Sequence, residues 1–190
     1  MIQTEFLVFQ AKSFYNAYIA LEQLNQSCEP PLLYYVPMIV NGAFSIEISL
    51  KALLAINHIE YGKEHNLVVL FMQLPDSFQA ELLGHLFEKA PEYNDVQKSV
   101  DELLLISNAF VDWRYAFEGK PAPAVDSRFL SAFANAAIWT MFSHCNVELV
   151  PTNDDIKTDE EIEELYQKNR EDCKNANIRL IQKKRKNGEE

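Results

Sequence analysis

The segment from Ile39 to Ile56 is the feature that most constrains the fold, because apolar residues occur on nearly every side of the helix that it predicts. A helix on a protein surface carries one apolar stripe, whereas a helix that is apolar all round must be enclosed by other elements. Pro37 precedes the segment and is tolerated in the first turn of a helix. The surrounding stretch from Tyr34 to Ile59 is interrupted by charged and polar residues, which is not typical of a membrane-spanning helix. The sequence therefore predicts the buried central helix of a bundle.

Further helices are predicted on both sides of this one by apolar residues that recur at three- and four-residue steps. Capping residues, prolines and glycines mark their ends, with Asp76 or Ser77 expected to begin one helix and Asp126 or Ser127 another. Their expected limits are about 4–25, 66–74, 77–89, 95–118 and 127–147. Only 5 Gly and 8 Pro occur in 190 residues, which disfavours turn-rich sandwiches and barrels. We therefore predict an all-α, up-and-down helical bundle over residues 1–150.

Residues 151–190 differ in composition from the body of the chain. A turn-prone polar stretch begins at Pro151, and Thr158 to Glu161 form a capping-box pattern. Acidic residues dominate the start of the segment and basic residues its end, as suits the dipole of a helix. Its apolar stripe is thin, so this helix would be marginal alone and would dock on a partner. The sequence predicts a charged helical C-terminal extension.

Charge and cysteine content bear on partners and location. The net charge of −11 disfavours a general nucleic-acid binder, because the phosphate backbone would be repelled. The three cysteines include no CxxC pair, and the start of the chain lacks the pattern of a signal peptide. A cytoplasmic protein with no membrane partner is the expectation.

No standard catalytic or cofactor-binding motif occurs, so no cofactor is predicted. His58 and His65 flank a loop that also holds Glu60 and Glu64, but two histidines without a regular third ligand are a weak metal signal. We predict no metal site, and interpret His65 as a helix-start residue whose ring bonds to the backbone or to another helix. Cys145 is interpreted as structural, although it adjoins a histidine.

Two groups of polar residues are not easily explained as ordinary surface residues. Glu47 and Lys51 lie one turn apart on the most apolar helix, where each charge would require partners to offset its desolvation. Arg114 and Glu118 share a face near the end of the fifth helix, flanked by the aromatic residues Trp113, Tyr115 and Phe117. Two interpretations of Arg114 stay open: a clamp that reaches Glu47, or a contact for an anion or a nucleic acid.

The order of these motifs resembles a prokaryotic HEPN domain. The chain carries Glu47-Ile48-Ser49-Leu50-Lys51, then His65-Asn66-Leu67 followed by Leu70-Phe71-Met72-Gln73-Leu74-Pro75, then Trp113-Arg114-Tyr115-Ala116-Phe117-Glu118. These are similar to the family's E-x-x-L-K helix, its H-[DN]-L loop and its R-Y-x-x-E segment. The match extends over roughly residues 40–120.

The resemblance implies a helical bundle that pairs as a homodimer and acts in toxin–antitoxin, phage defence or related systems. Many members are metal-independent ribonucleases with an R-x(4–6)-H motif at the dimer interface, and others accompany nucleotidyltransferases. Arg114 is followed by no histidine at that spacing. Because RNA cleavage by the 2′-hydroxyl needs a group that carries a proton near neutral pH, the standard activity is not expected.

The sequence therefore predicts a HEPN-like dimerising domain without the usual catalysis, which binds a partner protein or an anionic ligand. The C-terminal helix is the expected contact for a partner such as an antitoxin, a nucleotidyltransferase or an effector. The alternative is a ribonuclease toxin whose composite dimer site uses Arg114, Glu118 and His65. In a third interpretation, Glu47, Lys51 and Arg114 form only a structural network.

Overall fold

The computed structural model describes residues 2–27, 29, 33–114 and 124–145, and the side chains of all of these except residues 2, 3 and 109–114. This part of the chain is built from helices and contains no strand, so the predicted all-α bundle is confirmed. A single turn of 3₁₀ helix (Pro91–Tyr93) joins the fourth helix to the fifth. The α-helices are α1 (Ile2–Ser27), α2 (Tyr35–Ile56), α3 (Leu67–Met72), α4 (Asp76–Lys89), α5 (Val96–Arg114) and α6 (Ser127–His144).

Helix α2 is the centre of the bundle, as its all-round apolar sequence predicts. It packs against α1, α3, α5 and α6, while α4 packs mainly against α6. From Ile46 to Leu54 each residue of α2 is buried, including Glu47 and Lys51. By length and composition α2 is also apolar enough to cross a membrane, but 67% of its most apolar window is covered by the other helices, as in the core helix of a bundle.

Close packing around α2 depends on one glycine. A Cβ atom added to Gly42 would lie 3.0 Å from side-chain carbons of both Tyr18 and Leu130, on α1 and α6. Because that distance is shorter than ordinary van der Waals contact, only glycine lets the three helices approach so closely at this level. The core continues beneath α3, where the rings of Phe71, Phe133 and Phe129 pack in series at centroid distances of 6.1 and 5.6 Å.

Most helix ends agree with the sequence, but two differ. Helix α6 ends at His144 and not near residue 147, because Cys145 already has an extended backbone, with φ of −101° and ψ of 112°. Asp126 caps α6 as expected, because its side chain accepts a hydrogen bond from the backbone N–H of Arg128. The expected side-chain cap of α4 is wrong. Asp76 lies inside the first turn, Pro75 occupies the capping position, and no side chain caps the helix. Asp76 instead complements the helix dipole from within that turn.

Several predicted features lie outside the described residues. These are the continuation of the fifth helix beyond Arg114 towards Glu118 and the helical extension over 151–190. The predicted limit at residue 150 lies there as well.

Candidate functional site

Glu47 and Lys51 form an ion pair in the middle of α2. Lys51 Nζ donates to Glu47 Oε1 at 2.7 Å, and the two residues are only 9% and 3% exposed. Their spacing of four residues places the side chains one above the other on the same helix face. Because both charges have left water, each depends on the other to offset its desolvation.

A loop over residues 57–66 carries the chain from α2 to α3 through two unusual backbone conformations. His58 has a φ of 57° and Gly62 a φ of 54°, both in the left-handed region. Glycine adopts this region freely, and histidine is among the few other residues that visit it. The loop therefore leaves α2 by a sharp turn and returns along the side of the helix.

The end of this loop is fixed by two acceptors. Glu64 Oε1 accepts hydrogen bonds from the backbone N–H groups of Asn66 and His65, at 2.7 and 2.8 Å. These two bonds lower the pKa of the Glu64 carboxyl, although partial desolvation opposes them. The side chain of Asn66 caps α3 by accepting from the backbone N–H groups of Val68 and Val69. The backbone of His65 is thus held on both sides.

His65 completes the arrangement on α2. Its Nδ1 lies 2.9 Å from Glu47 Oε1, the same oxygen that binds Lys51, while 63% of its side chain is exposed. An ionised carboxylate only accepts hydrogen bonds, so this geometry requires the hydrogen on Nδ1. In the neutral ring Nε2 is then an acceptor, and within the described part of the chain it makes no hydrogen bond.

We call Glu47, Lys51, Tyr61 and His65 the polar centre. The ring of Tyr61 covers the ammonium group of Lys51 at 5.5 Å, a cation–π distance. Glu47 Oε2 is buried and has no hydrogen-bond partner among the described residues. One carboxylate oxygen therefore anchors both a cation and an imidazole, and the other retains unused acceptor capacity.

The polar centre is connected to α5 through the start of α3. Ser107 is buried on α5, and its Oγ accepts a hydrogen bond from the backbone N–H of Leu67 at 3.1 Å. Arg114 is seven residues further along the same helix. Its side chain and that of Trp113 lie outside the described residues, as do Tyr115 and Glu118. The predicted clamp between Arg114 and Glu47 stays a prediction.

The other candidate groups do not join the polar centre. His144 packs against Phe78 and pairs with Glu81 across the α4–α6 contact, its Nε2 lying 2.7 Å from Glu81 Oε2. Burial raises the pKa of the neighbouring Cys145 to about 11, so the thiol remains protonated and unreactive at neutral pH. Within the ranges that the structure describes, no three His, Cys, Asp or Glu side chains are grouped as a metal site would require.

Sequence reasoning nominated Glu47, Lys51 and His65 but did not pair the histidine with the glutamate. The sequence did contain a signal for this pairing. Glu47 is an isolated carboxylate on an apolar helix, and a buried carboxylate requires more hydrogen-bond donors than one lysine supplies. Tyr61 and Ser107 were missed, since nothing in their local sequence marks them.

Comparisons with known proteins identify no relative of this chain. The chain matches no family model, and no curated protein and no solved structure is similar to it.

Proposed function

We propose that the chain is a HEPN-like dimerising helical domain that works by binding a partner protein in a prokaryotic defence or regulatory setting, without the family's usual ribonuclease chemistry. The support for the family is the order of the E-x-x-L-K, H-N-L and R-Y-x-x-E motifs in the sequence, together with the all-helical architecture. The homodimer and the toxin–antitoxin or phage-defence setting follow from that resemblance.

The observation that carries the proposal is that Glu47 Oε1 anchors both Lys51 and His65. The bond from His65 and the contact of the Tyr61 ring with Lys51 link the loop over residues 57–66 to this pair on the core helix, so the loop is held in one shape. Its exposed residues include His58, Glu60 and Lys63. A fixed, exposed loop suits recognition, because little conformational entropy is lost when a partner binds it.

Charge favours a protein partner over an anionic ligand or RNA. The ammonium group of Lys51 is neutralised by Glu47 and is nearly buried. Lys63 is exposed, but Glu60 and Glu64 lie on the same loop. A phosphate group approaching this surface would meet at least as much negative as positive charge, in a chain whose net charge is already −11. RNA binding is the weaker expectation.

The test is recovery of the partner with loop variants of the full chain. Tagged protein is purified from its native host, bound proteins are identified by mass spectrometry, and each is then expressed and titrated directly. We expect a directly binding antitoxin, nucleotidyltransferase or effector whose affinity falls at least about tenfold with Glu60→Lys. Glu88→Lys makes the same charge change at an exposed site on α4 and should leave the affinity unchanged. Equal effects of the two variants would contradict a role for the loop.

A second candidate function, the ribonuclease toxin, is favoured by one specific observation. The ring of His65 is largely exposed while its Nδ1 is held by the buried carboxylate of Glu47. That arrangement fixes the tautomer and orientation of an imidazole for general acid–base work. The composite site that uses Arg114 and Glu118 is part of this alternative.

Cleavage of mixed RNA by the full chain separates the two functions. The binding proposal predicts no cleavage above background by wild type, His65→Ala or Arg114→Ala. His85→Ala is the matched control, because His85 is a partly exposed histidine on α4. Cleavage, or toxicity on expression in bacteria, that is lost with His65→Ala and kept with His85→Ala would replace the binding proposal with the enzymatic one.

A further inference from the structure

A second polar surface lies outside the polar centre, in a groove between α1 and α6. The groove has a volume of about 480 Å³, within the usual range for small-molecule sites. It opens because α6 presents the small residues Ser127, Ser131 and Ala132 along this side. Long polar side chains from α1 and from the end of α4 surround it.

Hydrogen bonds between the two helices fix the direction in which they run past each other. Asn135 Nδ2 donates to the hydroxyl of Tyr15 at 2.8 Å, and Ser131 hydrogen-bonds to the hydroxyl of Tyr18. Chain numbers fall along α6 as they rise along α1, so the helices are antiparallel. Following the same pairing, Arg128 lies towards the Glu22 end of the groove.

The neutral end of the groove has unused hydrogen-bonding capacity. Asn135 Oδ1 is buried and has no partner in the described part of the chain. The hydroxyl of Tyr15 accepts from Asn135, and no acceptor for its own hydrogen occurs among the described residues. Buried polar groups are normally paired, so an unpaired acceptor beside a free donor indicates that a water or a polar ligand group belongs there.

The charged end is balanced rather than basic. Lys89 and Arg128 supply two cations, and Glu22 and Glu92 supply two carboxylates. Arg128 Nε also lies 3.8 Å from Asp126 Oδ1, in an ion pair that leaves 77% of the arginine side chain exposed. Glu22 is oriented by Tyr18, whose hydroxyl donates to Glu22 Oε1 at 2.9 Å. Burial raises the pKa of Tyr18 well above its ordinary value, which keeps this hydroxyl protonated as a donor. A site with both signs of charge matches a ligand with both signs and disfavours a polyanion.

We infer that the α1–α6 groove binds a small zwitterion of the amino-acid type with a polar side chain. Its carboxylate contacts Arg128 and Lys89, its ammonium group contacts Glu22, and its side chain extends towards Tyr15 and Asn135. Arginine suits the first contact because its guanidinium matches the planar geometry of a carboxylate. The inference is independent of the partner-binding loop.

The probes are the common L-amino acids, tested singly on the full chain by saturation-transfer NMR and then by calorimetry. We expect saturable binding of at least one polar amino acid, weakened at least about tenfold by Arg128→Ala and by Glu22→Gln. Arg128 has 77% of its side chain exposed, so its removal should not unfold the chain. Lys63→Ala removes a cation from the loop over residues 57–66, which does not line the groove, and should leave the binding unchanged.

Three outcomes would overturn the inference. One is that none of the amino acids binds at concentrations up to about 10 mM. Another is that binding is unaffected by both groove variants. The third is that inorganic phosphate competes as well as the amino acids do, which would identify an anion site without the ammonium contact.

Discussion

The ion pair in α2 provides the sharpest test of how the bundle tolerates charge. With Lys51 Nζ 2.7 Å from Glu47 Oε1, the Coulomb attraction is about 6 kcal/mol at an effective dielectric constant of about 20. Desolvation of the two groups offsets most of that attraction. A substitution of one partner leaves the other charge buried without the partner that offsets its desolvation. Each single substitution should therefore lower the free energy of unfolding by far more than the intact pair contributes to it.

The expected losses differ between the two partners. Glu47→Leu removes the carboxylate that binds the buried ammonium group of Lys51. Among the described residues this leaves the ring of Tyr61 and the charge of Glu64 as its favourable surroundings, so the free energy of unfolding should fall by about 3–5 kcal/mol. Lys51→Met leaves the carboxylate with its bond from His65, so its cost should be nearer about 2–3 kcal/mol. The double variant replaces the pair with apolar groups of similar size and should lie within about 1 kcal/mol of wild type.

Urea unfolding of the full chain, followed by circular dichroism, measures the double-mutant cycle. Gln97 and Asp101 are a matched control, since they form an exposed side-chain hydrogen bond at the same spacing on α5. Asp101→Ala should change the stability by no more than about 0.5 kcal/mol. If the double variant instead loses the sum of the two single effects, the charges are not coupled and the argument from desolvation is wrong.

Three further predictions concern the fold. Gly42→Ala should lower the free energy of unfolding by about 1–3 kcal/mol, because the new Cβ would meet Leu130. Gly84→Ala, in open space on α4, should instead raise it by about 0.5–1 kcal/mol. Both values are measured by urea unfolding, and equal effects of the two variants would contradict the close approach at Gly42. Asn66→Ala should cost about 1 kcal/mol through loss of the α3 cap, and an unchanged unfolding midpoint would refute it. Burial raises the pKa of the Tyr93 hydroxyl to about 12, whereas its pKa in the unfolded chain is about 10. The stability that this difference contributes is therefore complete below about pH 10 and is lost as the pH rises towards 12. Tyr93→Phe should flatten the decline in the free energy of unfolding over that interval, and an unchanged slope would contradict the prediction.

The helices could be predicted from the sequence because their signals are local. The all-round apolar character of α2 indicated its central place, and Asp126 indicated the start of α6, since a cap depends on residues only two or three positions away. The mistaken cap at Asp76 has a local cause too. Pro75 fixes its own φ near the helical value and can precede the helix directly, so Asp76 is drawn into the first turn.

The contacts of the candidate site could be predicted only in part, because they join distant residues. His65 and Glu47 are 18 positions apart, and Asn135 and Tyr15 are 120 apart. Such pairs depend on how helices are rotated and on the course of the connecting loop. The turn at His58 illustrates this, since nothing in the sequence around it requires a left-handed histidine.

The burial of the polar centre determines which variants can report on function. Glu47 is 3% exposed and holds both Lys51 and the loop, so its substitution changes stability and loop shape together. A loss of partner binding in Glu47→Leu would therefore have two explanations. Glu60 is exposed, and its substitution alters the surface that a partner meets without touching the anchoring bonds. Variants at such exposed positions therefore separate partner recognition from folding, whereas the ion-pair cycle measures only the coupling of the two charges within α2.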